Sequence, residues 1–112
     1  MSASGKIDKY GLSLETPSVY TNYKRVIHCY GSFGLAFLYF VPEELPLGEN
    51  KKRDGQNVYD IYYRMRDWDA AVDILRNEKP VWFFFDNYNN GIIKTESEEV
   101  GEEEAGSVQK SV

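Results

Sequence analysis

Apolar and polar residues alternate along most of the chain, which predicts a protein built mainly from β-strands. From Lys6 the pattern becomes strand-like, and residues 10–14 alternate with the period of two expected when one face is buried. Residues 20–30 are rich in β-branched and aromatic side chains, and residues 33–41 are the most apolar stretch. Gly31-Ser32 between them is typical of a tight hairpin turn. The second strand is apolar on both faces, so we expect it at the centre of a sheet.

The second half of the chain predicts three more strands. Residues 58–65 alternate between an apolar face and a more polar one. Residues 81–88 begin as a strongly aromatic strand, and residues 92–95 form its return strand. Asn89-Asn90-Gly91 connects these two, because Asn and Gly adopt the positive φ of hairpin turns most readily.

A long polar connection, residues 42–57, separates the two halves. It contains two Pro, two Gly and seven charged residues. Loops of this length in a small domain are usually functional or mobile. We expect Leu45 and Leu47 to hold part of it against the core, and Lys51-Lys52-Arg53 to form its exposed tip.

One amphipathic helix is predicted over residues 68–79. Four apolar residues recur at the spacing of a single helical face: Trp68, Ala71, Val72 and Leu75. Asp67 precedes the helix at a position where a carboxylate can accept hydrogen bonds from the first-turn amides. Pro80 prevents the helix from continuing.

The distribution of charge indicates where the domain ends. Residues 1–94 contain 12 acidic and 12 basic side chains, whereas residues 95–112 contain six Glu and one Lys. The net charge of −5 therefore belongs to the C-terminal segment. We predict a single small α+β domain over residues 6–95, with a mostly antiparallel sheet of about six strands and one packed helix. Residues 1–5 are expected to be disordered, and residues 96–112 to form an acidic disordered tail.

Composition narrows the cellular setting. Cys29 is the single cysteine, so no intramolecular disulfide forms and a reducing compartment is expected. The N-terminus lacks the apolar core of a signal peptide. The longest apolar run, residues 35–41, is far shorter than the roughly 20 residues of a membrane-spanning helix. We expect a cytoplasmic protein that does not associate with membranes.

The residues that could carry catalysis favour a non-catalytic protein. His28 and Cys29 are adjacent in a predicted strand, so they point to opposite faces and cannot form a nucleophile–base pair. A single His and a single Cys leave a zinc site short of ligands. Carboxylates near aromatic strands, at Asp60, Asp86 and Glu43-Glu44, are interpreted as solvated charges. We therefore expect no metal and no cofactor.

Aromatic and basic residues are interleaved on the predicted strands, and this pattern suggests a binding surface. Tyr supplies contact area at low entropic cost in protein interfaces. Aromatic rings beside cations also stack unpaired bases and hold phosphates. The candidate binding residues are Tyr59, Tyr62, Arg64, Lys24, His28 and Tyr30.

Two functions follow from this pattern. The leading hypothesis is a protein-interaction or self-associating module, a homo-oligomer, that uses a tyrosine-rich face of the sheet. The alternative is single-stranded nucleic-acid binding on an aromatic and basic face, autoinhibited by the acidic tail. A third possibility is a small-molecule pocket between helix and sheet near Gly34 and Ala36, provided that Trp68 or Leu75 does not fill that space.

Overall fold

The computed structural model describes residues 2–14 and 25–96. Within these residues the chain forms seven strands and one α-helix. The strands are β1 (Ala3–Leu14), β2 (Arg25–Gly31), β3 (Gly34–Val41), β4 (Lys51–Lys52), β5 (Val58–Arg64), β6 (Val81–Phe85) and β7 (Gly91–Thr95). The helix α1 (Trp68–Asn77) follows a short 3-10 turn, Met65–Asp67. Residues 20–24 of the predicted second strand, and residues 97–112 of the predicted tail, lie outside the described residues.

The strands form one mixed sheet in the order β4-β5-β3-β2-β1-β6-β7. The α+β class with one packed helix is confirmed, but the sheet has seven strands and is not purely antiparallel. β3 and β5 run parallel, with Leu35 beside Val58 and Val41 beside Arg64. β3 lies between β5 and β2, so its two apolar faces belong to a central strand, as predicted.

The parallel pair explains why residues 42–57 are so long. Parallel neighbours need a crossover connection, whereas a hairpin turn suffices for antiparallel ones. The connection also contributes β4 at the edge of the sheet, with Lys51 beside Asp60 and Lys52 beside Tyr59. The expectation that these lysines form an exposed loop tip is therefore wrong. The sequence pattern does not predict β4, because a two-residue strand has no measurable period.

β1 joins the two halves of the sheet. Its first residues pair with β6, from Ala3 beside Phe85 to Lys6 beside Trp82. A bulge between Ile7 and Lys9 then shifts the register, and the rest of the strand pairs with β2. The strand thus begins within the stretch predicted to be disordered, because backbone pairing with β6 orders residues whose side chains are small and polar.

The sheet curls around its inner face, which carries the core. The Tyr59 ring centroid on β5 lies 5.5 Å from that of Phe83 and 5.1 Å from that of Phe85, although three strands separate β5 from β6. The Tyr63 hydroxyl donates to the Gly91 carbonyl at 3.0 Å, so β5 also meets β7. The outer face is consequently the convex surface of the curled sheet.

Helix α1 closes the core against this inner face. Ala71 and Leu75 are buried, and the Trp68 ring meets the Phe40 ring edge-on at 5.0 Å. Leu75 and the fully buried Ala36 belong to the same core cluster, whereas Trp68 packs near Phe40, towards the other end of β3. The small-molecule pocket near Gly34 and Ala36 stays a prediction. The helix ends at Asn77 rather than at residue 79. Pro80 disfavours the helical conformation at the residue before it, so the helix ends before Lys79.

Two turns differ in detail from the prediction. The β2–β3 turn is Ser32-Phe33, one residue later than expected, because Gly31 pairs directly with Gly34. The Phe33 ring turns inward and packs 4.7 Å from Phe83 in the core. After β6, the aromatic strand ends at Phe85 rather than at residue 88, and residues 86–90 form the turn.

Candidate functional site

Aromatic side chains form two separate surfaces on the outer face of the sheet. The tyrosine surface lies on β2, β3 and β5 and consists of His28, Phe37, Tyr39 and Tyr62. The tryptophan surface lies on β1, β6 and β7 and consists of Lys6, Trp82, Phe84 and Lys94. Both combine rings with cations, which is the pattern that suggested a binding site from the sequence.

The rings of the tyrosine surface form a continuous row. Tyr39 stacks on Tyr62 at 5.0 Å and lies 6.1 Å from Phe37. His28 meets Phe37 edge-on at 5.2 Å. The Arg53 guanidinium lies 5.0 Å above the Phe37 ring, so the connection between β3 and β5 covers part of this row.

A buried carboxylate holds Arg53 in this place. Asp60 is only 5% exposed and accepts two hydrogen bonds from Arg53, 2.8 Å to Oδ2 and 2.9 Å to Oδ1. The Tyr39 hydroxyl donates to Oδ1 at 2.8 Å. Burial by itself raises the pKa of the Asp60 carboxyl, but the hydrogen bonds from Arg53 and Tyr39 outweigh it and hold the pKa below its usual value. Asp60 is thus a paired structural charge, not a solvated one.

Arg64 has a structural role on the same strand. Its guanidinium donates to the carbonyl of Leu45 at 2.7 Å and to that of Pro42 at 2.9 Å. The Asn50 side chain accepts from the Tyr62 amide at 2.8 Å, and a side chain at Gly48 would collide with the Tyr62 ring. Two cations near the tyrosine surface, Arg53 and Arg64, are therefore engaged by groups of the protein itself. A third, Lys51, lies beside Asp60 on β4.

The candidate residues predicted from the sequence do not form one surface. Tyr59 is 2% exposed and points into the core. Tyr62 lies on the opposite face, because side chains alternate along a strand and the two positions are three residues apart. His28 and Tyr62 share the tyrosine surface, whereas Tyr30 is exposed nearer β1, with the Lys9 ammonium 5.3 Å from its ring. Lys24 lies outside the described residues.

The residues considered for catalysis are held in structural roles. Cys29 is fully buried, and burial raises the pKa of its thiol to about 12. Asp86 accepts hydrogen bonds from the amides of Tyr88 and Asn90, which organises the β6–β7 turn. These bonds, those from Asn90 first, lower the pKa of the Asp86 carboxyl. In residues 2–14 and 25–96, no three His, Cys, Asp or Glu side chains are placed to bind a metal ion together.

The tryptophan surface is built from directly paired residues. Lys6, Trp82 and Lys94 face one another across β1, β6 and β7. The Lys6 ammonium lies 5.8 Å from the Trp82 ring, and the Lys94 ammonium lies 4.8 Å from the Phe84 ring. Within the described part of the chain, neither lysine forms an ion pair with a carboxylate.

A shallow cleft of about 440 Å³ crosses this surface. It is lined by Trp82, Phe84, Lys94, Thr95 and Glu96. The Trp82 indole N–H donates to the Glu96 carboxylate at 3.3 Å. The cleft therefore offers one cation, an N–H donor and two aromatic rings, with a carboxylate already placed at one side. Lys6 lies beside Trp82 but outside this lining.

The residues of the tryptophan surface were not among the binding residues predicted from the sequence. Residues 81–88 were predicted only as a strand that begins strongly aromatic. The signal that could have found the surface is that rings occupy both faces of this short strand. A strand next to a sheet edge has only one face on the core, so the other rings must lie outside.

Comparison with known proteins identifies no relative of this chain. No protein-family model matches the chain, and neither a curated protein nor a solved structure does so. In the described residues, no helix has the length and apolar character required to cross a membrane.

Proposed function

We propose that this protein is a non-catalytic protein-interaction module that binds an acidic segment of a partner chain on the tryptophan surface. The observation that carries the proposal is the Glu96 carboxylate at the Trp82 indole, in the cleft that Lys94 also lines. The tyrosine surface, where the sequence suggested the contact, is less suited to this role. Two of its nearby cations, Arg53 and Arg64, are already engaged.

The chemistry of the cleft matches a chain of carboxylates. Lys6 and Lys94 place an ammonium on either side of Trp82, and the indole adds an N–H donor. The rings of Trp82 and Phe84 give apolar area for the stems of the bound side chains. Because residues 1–94 are neutral overall, attraction depends on these local charges and should weaken as salt rises.

Single-stranded nucleic acid is a second candidate for the same part of the outer face. Trp82, Phe84 and Tyr30 each have a lysine ammonium near the ring. Bases stack on such rings while the cations contact phosphates. The neutral charge of residues 1–94 gives little general attraction for a polyanion, so we rank this candidate second.

Fluorescence anisotropy with two labelled probes tests both candidates. One probe is a peptide of about ten glutamates, the other a single-stranded oligothymidine of about ten nucleotides, each in about 20 mM salt. We expect the full chain to bind the peptide more tightly. Trp82→Ala should weaken peptide binding about tenfold, since an aromatic anchor in a binding surface contributes on the order of 1–2 kcal/mol.

Lys94→Gln has a matched control in Lys79→Gln. Each substitution removes one positive charge from an exposed side chain, but Lys79 lies after α1 and does not line the cleft at Trp82. We expect Lys94→Gln to weaken peptide binding about threefold and Lys79→Gln to leave it unchanged. Equal effects would overturn the assignment of this surface. Tighter binding of the oligothymidine would select the second candidate.

Self-association belongs to the same proposal. Residues 97–112 contain five Glu and one Lys, so the tail of a second copy is an acidic segment of the required chemistry. The mass in solution at micromolar concentration, measured by light scattering, tests this homo-oligomer. The cytoplasmic location stays a prediction.

A further inference from the structure

We infer that the chain's own C-terminal glutamates occupy the tryptophan surface and compete there with the partner segment. The inference rests on the proposed function for the identity of the competitor. It concerns Glu98, Glu99, Glu102, Glu103 and Glu104.

The direction of β7 brings the C-terminal segment to this surface. Lys94, Thr95 and Glu96 all line the cleft, and Glu96 is the last described residue. Its carboxylate already accepts the Trp82 indole N–H. The glutamates that follow therefore start from a point inside the site that they are proposed to occupy.

The distance to Lys6 and the charge of the surface both favour binding of the C-terminal glutamates. Lys6 lies two strands from Lys94, and two strand spacings amount to about 10 Å. An extended chain covers this distance in about three residues. Glu98 and Glu99 follow Glu96 by two and three positions, so their carboxylates can reach the Lys6 ammonium.

Tethering makes weak contacts effective. A short linker holds a segment near its site at an effective concentration in the millimolar range. A few solvated carboxylate–lysine contacts are then sufficient for partial occupancy. A partner segment must displace the tail, and its apparent affinity falls accordingly. Rising salt should release the tail, because the contacts are exposed and screened.

The experiment compares two full-length variants that each lose five carboxylates. In the tail variant the five tail glutamates become Gln: Glu98, Glu99, Glu102, Glu103 and Glu104. In the control variant five exposed acids elsewhere become the corresponding amides: Glu43, Glu44, Glu49, Asp54 and Asp69. Both variants change the net charge equally. We expect the tail variant to bind the glutamate peptide about three- to tenfold more tightly than wild type at low salt, and more tightly than the control variant.

A second measurement reports tail occupancy without any probe. The indole N–H resonance of Trp82 in an NMR spectrum, assigned with Trp82→Phe, should differ between wild type and the tail variant at low salt. The difference should shrink at high salt. An identical resonance in both proteins would overturn the inference, whatever the probes do.

Peptide binding and the Trp82 indole resonance together distinguish a failure of the proposed function from a failure of tail docking. A changed indole resonance with no peptide binding to either protein would retain tail docking and overturn the proposed function. Equal peptide affinities with an unchanged resonance would retain the proposed function and overturn tail docking. Equally tighter binding by both five-carboxylate variants would reduce the effect to net charge and overturn the inference as well.

Discussion

The two outer aromatic surfaces have similar compositions but differ in what their cations contact. On the tyrosine surface, Arg53 forms a two-point contact with the buried Asp60 carboxylate, and Arg64 donates to backbone carbonyls. On the tryptophan surface, Lys6 and Lys94 lie over rings and extend into solvent. The first arrangement stabilises the fold, whereas the second leaves charge available for a ligand.

The chemistry of the two cations fits this division. Arg presents a planar set of donors that matches a carboxylate or several carbonyls at once, and it tolerates partial burial. Lys is a compact, strongly hydrated charge that remains in water while its stem covers a ring. The loop that crosses from β3 to β5 needs fixed contacts, and the arginines supply them. Aromatic and basic interleaving therefore indicates a binding surface only where the cations have no internal acceptor.

Among the substitutions that distinguish the two surfaces, replacement of Arg53 should lower the free energy of unfolding the most. Arg53→Met leaves the Asp60 carboxylate buried without its guanidinium partner, although Tyr39 still donates to it. Removing one partner of a fully buried ion pair costs about 3–5 kcal/mol. Arg53 is 39% exposed, so water screens this pair in part and the free energy of unfolding should fall by about 2 kcal/mol. Urea denaturation followed by circular dichroism measures the change. A loss below about 0.5 kcal/mol would remove the structural role assigned to this pair.

Lowering the pH should also weaken the contact between Arg53 and Asp60, with a smaller loss of stability than the substitution of Arg53. The pKa of Asp60 is lower in the folded protein than its ordinary value of 3.8, so the unfolded chain binds a proton first. The contribution of this carboxylate is therefore complete above about pH 4, and it is lost as the pH falls through the lower folded-state pKa. Urea midpoints between about pH 6 and pH 2 should decline more steeply in wild type than in Asp60→Asn. Parallel curves would show that Asp60 does not contribute to the acid transition.

Replacing Arg64 should have a more local effect. Arg64→Met removes the donors to Pro42 and Leu45, and bonds from a charged donor at a partly exposed site contribute about 1–2 kcal/mol together. Amide exchange should accelerate in residues 42–50 while β2 stays protected. Unchanged exchange in this loop would mean that other contacts hold it on the tyrosine surface.

Lys94→Met is the control for both arginine variants and should have the smallest effect. It removes a positive charge of the same size from the tryptophan surface, where the ammonium is exposed. We expect a change in unfolding free energy of less than about 0.5 kcal/mol. A loss as large as that of Arg53→Met would abolish the distinction between the two surfaces.

Most secondary structure could be predicted from local pattern, and the exceptions have physical reasons. The apolar stripe from Trp68 to Leu75 and the alternation over residues 58–65 both correspond to observed elements. β4 and the first residues of β1 were missed, since backbone pairing rather than side-chain burial orders them. The parallel pairing of β3 with β5 was also missed, because strand order depends on how the whole chain is arranged.

The candidate binding residues show more clearly what a local sequence pattern cannot predict. Alternation places Tyr59 and Tyr62 on opposite faces, although both were grouped as candidate binding residues, and it correctly puts His28 and Cys29 on opposite faces. It gives no information on which cation meets which acceptor. Arg53 and Asp60 are seven residues apart, and their contact exists because β4 turns the chain back along β5.

By itself, the sequence determined the class of the protein, the position of helix α1, the faces of its strands and the separation of a neutral body from an acidic C-terminal segment. These properties follow from periodicity and charge, which are local or additive along the chain. The tertiary structure alone decided that the sheet is mixed and curled, and which rings remain outside. It also decided which cations are consumed by internal acceptors and which remain available. Such pairings depend on distances between residues far apart in the chain, and no local pattern encodes them.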